Sequence, residues 1–190
     1  MKHINITPGD VLNIRLKPDL HCLAQMGTNH YLKFFDICNR NGVWSNIDLN
    51  EIKSVFCIFV AEKKLRPIIE RILERESVIQ SRTPFPRTLI AYNMNGLGRL
   101  VTSLVQLDEK YTSASFIVLK EELSIERDLT DICNYEFIGV FGDSEKIRDR
   151  LITYFETGRN WDESKNYIFP GVLDICSKKL PSIPASGKSH

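Results

Sequence analysis

No stretch of this sequence stays apolar for long. The longest run, 55–61, is seven residues, and a membrane helix needs roughly 20. A basic-then-apolar leader is also missing; Met1-Lys2-His3-Ile4-Asn5 is polar from the outset, so no secretory segment is expected. Neither sign of charge is in excess. Lys and Arg number 25 against 24 Asp and Glu, a net charge of +1, whereas a general nucleic-acid binder carries a clear basic surplus. Histidines are few, at four; His3 and His190 lie near the ends, where order is least expected, and His21 and His30 have no partner motif. C-x-x-C, H-E-x-x-H, G-x-S-x-G and the P-loop find no match, and Asn95-Gly96-Leu97-Gly98 reads as a hairpin turn rather than a phosphate loop. The five cysteines (Cys22, Cys38, Cys57, Cys133, Cys176) are an odd number set mostly among apolar neighbours. They read as buried, reduced thiols of a cytoplasmic protein. No enzyme, cofactor or metal site is expected.

What is present is ordinary globular material: 190 residues, 43% hydrophobic and 26% charged. Turn residues punctuate short apolar runs. Strands are predicted over 11–16, 20–26, 31–38 and 55–60, the last apolar on both faces and so central. The spacing of Leu65, Ile68, Ile69, Ile72 and Leu73 predicts a helix over 64–74, with Pro67 tolerated in its first turn. Ser81-Arg82-Thr83-Pro84-Phe85-Pro86 reads as a linker. Strands over 88–92, 97–107, 113–119 and 137–141 follow. A helix then starts at an Asp143 N-cap, carries Ile147, Leu151, Tyr154 and Phe155, and ends at Gly158.

The two halves share an order. Leu12, Leu20 and Leu23 correspond to Leu89, Leu97 and Leu100, and Leu65, Ile69, Ile72 and Leu73 correspond to Ile147, Leu151, Tyr154 and Phe155, at offsets of 77 to 82. Residues 48–52 and 128–132 match as bridging segments. The expectation is an α+β fold of two related modules, each of antiparallel β-strands backed by one α-helix, over 1–80 and 81–175, with 176–190 a flexible tail.

Candidate functional residues lie in turns. Trp44 follows Asn41-Gly42, and Trp161 follows Arg159-Asn160. A loop tryptophan is more often a lid on the core than an interface anchor. Arg40 and Arg159 nearby add weight to the anchor reading, because Trp and Arg are frequent in protein-binding hot spots. Asp108 and Glu109, Glu121 and Glu122 with Glu126, or Asp128 with Asp131 could supply charge complementarity. Along 31–36, alternation sets Tyr31, Lys33 and Phe35 on one side and Leu32, Phe34 and Asp36 on the other, which reads as core plus one edge rather than a nucleic-acid surface.

The segment Pro8-Gly9-Asp10-Val11-Leu12-Asn13-Ile14, the strand Tyr31-Leu32-Lys33-Phe34-Phe35-Asp36-Ile37 and the apolar strand over 55–60 together resemble the immunity protein 26 family of bacterial polymorphic toxin and contact-dependent inhibition systems. The resemblance runs through residue 60 and reaches the second half only through the repeat. It implies a cytoplasmic, non-catalytic protein that binds one cognate toxin domain, a nuclease being the expected class, and blocks it. Arg40, Trp44, Asp108, Glu109, Arg159 and Trp161 are then the expected toxin-binding residues. No cofactor, membrane or direct nucleic-acid partner is implied. The alternative is a non-catalytic module for another protein or for RNA.

Overall fold

A computed structural model of the chain describes residues 5–112 and 115–179. In chain order the first elements are β1 (Val11–Lys17), β2 (Leu20–Met26), β3 (Tyr31–Asn39), β4 (Ile47–Asp48), β5 (Ser54–Val60), α1 (Glu62–Leu65), β6 (Ile69–Ile72) and β7 (Val78–Ile79). Then come β8 (Thr88–Met94), β9 (Leu100–Leu107), β10 (Phe116–Lys120), α2 (Ile125–Asn134), β11 (Val140–Phe141), α3 (Ser144–Thr157), α4 (Ser164–Ile168) and α5 (Val172–Lys179). The class is α+β, with largely antiparallel sheets. The described residues fall into two units, 5–85 with 140–160, and 86–139 with 161–179.

The first unit is built on a six-stranded sheet ordered β11-β5-β3-β2-β1-β6. Pro18-Asp19 closes the β1–β2 hairpin, Lys17 pairing with Leu20. Period-two alternation sends Leu12, Ile14, Cys22, Leu32, Phe34 and Ile58 into one core. Helix α3 packs on that core through Ile147 and Leu151. It starts where the Asp143 carboxylate accepts the N–H groups of Glu145 (3.1 Å) and Lys146 (3.2 Å). It stops at Gly158, whose φ of 74° is left-handed and whose N–H donates to the Tyr154 carbonyl at 2.7 Å. The return is fastened by Asn160, which donates to the Val55 carbonyl (3.0 Å) and accepts from Arg150 Nε (2.8 Å). The Arg150 guanidinium also lies 3.9 Å from the Phe56 ring centroid.

The opposite face of the sheet holds a second core of Val11, Leu23, Phe35, Trp44, Leu49 and Val78. Polar side chains on this face meet the covering chain. Gln25 exchanges two hydrogen bonds with the Ser81 backbone (3.0 and 2.7 Å). Lys33, 2% exposed, donates to the Thr83 carbonyl at 2.7 Å under the Phe85 ring; burial lowers its pKa. The segment read as a linker is thus strapped to the first unit as far as Phe85.

The second unit has a three-stranded antiparallel sheet ordered β10-β9-β8. Ile90, Leu104, Ile132, Phe137, Phe169 and Val172 form its core with Trp161. Three helices, α2, α4 and α5, contribute, rather than one.

Several expectations are corrected. Residues 64–74 are not one helix: after α1 and a 3-10 turn at Arg66–Ile68, Ile69–Ile72 is a strand paired with β1. β-branched isoleucines suit that ladder, and the edge of β1 takes them. Residues 128–132 are not a bridging segment but part of α2, whose Ile125, Leu129, Ile132 and Cys133 share a face turned to the core. Both halves open on an antiparallel meander, β1-β2-β3 and β8-β9-β10, but the proposed correspondences do not hold: Leu23 is buried where Leu100 is exposed, and Leu97 stands exposed ahead of β9. β5 joins β3 antiparallel, whereas Phe137 bridges Ile90 in parallel. Residues 140–160, assigned from sequence to the second module, belong to the first unit. The cysteines are not all thiols: Cys133 and Cys176 form a disulfide joining α2 to α5, and Cys22, Cys38 and Cys57 are free. Residue 176 is therefore not in a loose tail, α5 running on to Lys179; 180–190 lie outside the described residues, as do His3 and His190.

Candidate protein-binding surface

The two tryptophans point inward. The loop after β3 folds back because Asn39 donates to the Val43 carbonyl (2.7 Å) and accepts the Gly42 N–H (2.7 Å). Gly42 has a φ of 65°, and a Cβ there would stand 2.8 Å from Asn13 Nδ2 and 2.9 Å from His21 Cδ2, so only glycine fits. This closure delivers Trp44 to the second core, where its Nε1 donates to Asn13 Oδ1 at 2.9 Å. Asn13, fully buried, in turn donates to Glu70 Oε2 at 2.5 Å, and His21 Nε2 stands 3.4 Å from the same oxygen. Arg71 closes the lid by donating to the Gly42 carbonyl at 2.5 Å. Trp161 is likewise buried in the core of the second unit, with the Lys165 ammonium 5.6 Å from its ring centroid.

Of the six predicted binding residues, then, Trp44 and Trp161 are core lids, not surface anchors. Arg40, Glu109 and Arg159 are exposed. Asp108 is spent on its own turn: its carboxylate accepts the N–H groups of Thr112 (3.0 Å) and Lys110 (3.1 Å). Those bonds, that of Thr112 foremost, hold its carboxyl below the usual range. Arg40, Trp44 and Arg159 sit in the first unit and Asp108, Glu109 and Trp161 in the second. Tyr31, Lys33 and Phe35 are all buried, so that row is core throughout.

The surface that stands out was not singled out from sequence. β10 is an edge strand, and among the described residues it pairs with β9 alone. All five of its residues are exposed, including four successive apolar ones: Phe116 at 42%, Ile117 at 69%, Val118 at 44% and Leu119 at 47%. Phe116, Ile117 and Val118 face Leu107, Gln106 and Val105, and an irregularity at Leu119 shifts Lys120 onto Leu104. A strand apolar on both faces is normally covered on both. Tyr92, Met94, Leu97 and Leu100 on the β8–β9 hairpin of the same sheet are exposed too. Isolated exposed apolar residues need no explanation, but contiguous ones mark an interaction site.

The far end of β10 is acidic. Residues 120–131 carry two basic and five acidic side chains, a net charge of −3. Lys120 is bound by Asp131 and Asp128, which raise its pKa, Asp131 foremost. Asp128 is held below the usual carboxylate range by the Ser124 N–H first and by Lys120 second. Arg127 donates to the Glu122 carbonyl at 2.6 Å. Glu121, Glu122 and Glu126 remain exposed.

Among the described residues no three His, Cys, Asp or Glu side chains gather in a way that could hold a metal ion, and no helix is long and apolar enough to cross a membrane. No curated protein and no solved structure matches the chain. A family model does match, over residues 1–174, under the description "Domain of unknown function (DUF8309)", and the chain belongs to that family.

Proposed function

We propose that this chain is an immunity protein: it binds a cognate bacterial toxin domain, a nuclease being the expected class, in the cytoplasm, and blocks it sterically. It catalyses nothing itself and needs no cofactor. The observation that carries the binding role is β10, whose four consecutive apolar side chains are exposed on a strand that pairs, among the described residues, with β9 alone. The toxin as partner rests on the resemblance to the immunity protein 26 family over Pro8–Ile14, Tyr31–Ile37 and the strand β5. A partner protein suits this surface better than RNA, because the apolar edge runs into an acidic end that would repel phosphates. The test is co-expression with the toxin domain encoded by the adjacent reading frame. Cells survive with this chain present and die without it, and the two proteins co-purify. Survival that does not depend on this chain, or no complex by calorimetry at micromolar concentration, overturns the reading.

A further inference from the structure

We propose that β10 takes its partner by strand addition. The occupant is an extended, apolar segment of the toxin domain that carries Lys or Arg at the end lying beside Glu121 and Glu122. This rests on the immunity reading and specifies how that reading is realised.

An edge strand offers a row of free N–H and C=O groups, and proteins usually guard such edges with charge, proline, shortness or a cover. The other main-sheet edges of this protein show those guards. β11 is two residues long, and β6 is four residues with Glu70 and Arg71 in the middle. The free side of β8 is covered, the Ile90 N–H donating to the Glu136 carbonyl at 2.8 Å and the Ile138 N–H to the Ile90 carbonyl at 2.9 Å. β10 has no cover among the described residues and no proline. Its single charge, Lys120, is drawn away to Asp128 and Asp131. β10 is five residues with one irregularity at Leu119, so neither proline nor a cover among the described residues guards its four successive exposed apolar side chains.

The shape of the edge specifies what fits. Side chains alternate between faces, so Phe116 and Val118 share one face and Ile117 takes the other, all exposed. An incoming strand is thus met by apolar surface on both faces and must itself be apolar on both. A second copy of β10 meets that condition but not the charge. Self-pairing of residues 116–131 brings only two cations to Glu121, Glu122 and Glu126, and both are committed: Lys120 is bound twice, and Arg127 is tied to the Glu122 carbonyl, Ser124 and Asp128. A partner segment ending in Lys or Arg satisfies both the apolar edge and the net charge of −3 beyond it.

The experiment uses the full chain and the toxin domain from the adjacent reading frame. Amide hydrogen exchange over 116–120 is expected to be fast in the free chain and slowed at least tenfold in the complex. Ile117→Lys, at a position 69% exposed and therefore harmless to folding, is expected to weaken binding at least 100-fold. Tyr167→Lys, on α4 of the same unit and 83% exposed, lies off this surface and leaves binding within threefold. The double variant Glu121→Lys, Glu122→Lys slows association at least tenfold and flattens its salt dependence. If the toxin complex forms and cells survive, but amides 116–120 stay unprotected and Ile117→Lys binds normally, strand addition is overturned while the immunity reading stands. If these amides are already protected in a dimer of the free chain that Ile117→Lys dissociates, a second copy is the occupant and the proposal is overturned. If no complex forms with any variant or with the parent chain, the immunity reading falls and the proposal falls with it.

Discussion

Leu151→Ala tests the path of the chain. Leu151 is fully buried in the core of the first unit, together with residues of β1, β2, β3 and β5 from which it is separated by more than 90 positions. Truncation removes three methyl-sized groups, about 2 kcal/mol of transfer free energy. The cavity adds to this, because Ile14, Leu32 and Phe34 are held by the sheet ladder and collapse little; the expected total is about 3 kcal/mol, inside the range of roughly 2–5 kcal/mol for such changes. The better helix propensity of alanine offsets only about 0.2 kcal/mol. The protein carries its own reporters, since Trp44 lies in a core of the first unit and Trp161 in that of the second. Trp161→Phe and Trp44→Phe backgrounds therefore follow the two units separately by fluorescence in urea. Leu151→Ala is expected to lower the midpoint reported by Trp44. A loss below about 1 kcal/mol, or one seen by Trp161 and not by Trp44, would refute the assignment of α3 to the first unit.

Asn13→Ala leaves the buried Trp44 indole N–H without its acceptor and removes the bond to Glu70. It should cost about 2 kcal/mol in the Trp44 transition and shift that emission to the red. Replacing Cys133 and Cys176 by serine opens a loop of sequence separation 43, which chain-entropy arithmetic puts at about 4 kcal/mol; the Trp161 midpoint should fall in the double variant, and no change with or without reductant would argue that the bond does not form. Asp128 has a folded-state pKa below its unfolded one, so its contribution is present above the unfolded carboxyl pKa of about 3.9 and lost as pH falls through the lower folded value. Asp128→Asn should flatten acid unfolding in that window, and an unaltered acid limb would contradict the role assigned to the Ser124 and Lys120 contacts.

What was legible in the sequence is what local chemistry decides. β2 has the residues predicted for it, β1 and β3 run one residue longer, and α3 begins and ends where Asp143 and Gly158 require. Turn residues and caps act within a few positions, so they can be read without the rest of the chain. Residues 64–74 failed because Ile68, Ile69 and Ile72 satisfy a helical and a strand reading over so short a span, and the open edge of β1, some 55 positions earlier, decided between them. Helix α2 was obscured by the repeat: aligning 128–132 with 48–52 overrode an apolar spacing that is helical by itself. Exposure is harder still. Nothing within Phe116-Ile117-Val118-Leu119 tells an edge strand from a central one, because that depends on which strand fails to arrive.

The two tryptophans that the sequence offers for recognition illustrate the same dependence. Trp44 is matched by Asn13 and Trp161 by Lys165, and inside the first unit Phe85 is matched by Lys33 and Phe56 by Arg150. An aromatic ring near a base describes a binding hot spot and also an internal cation–π contact, and here the internal use prevails. Polar groups on the second face of the main sheet show why. Asn13, Gln25 and Lys33 would each lose a hydrogen bond if the covering loops shifted, so they fix which segment lies over which strand. Side chains committed in this way cannot also hold a partner without unfolding their own cover. The apolar side chains of β10 and the exposed Glu121, Glu122 and Glu126 that follow it carry no such commitment, and the proposed recognition rests on them for that reason.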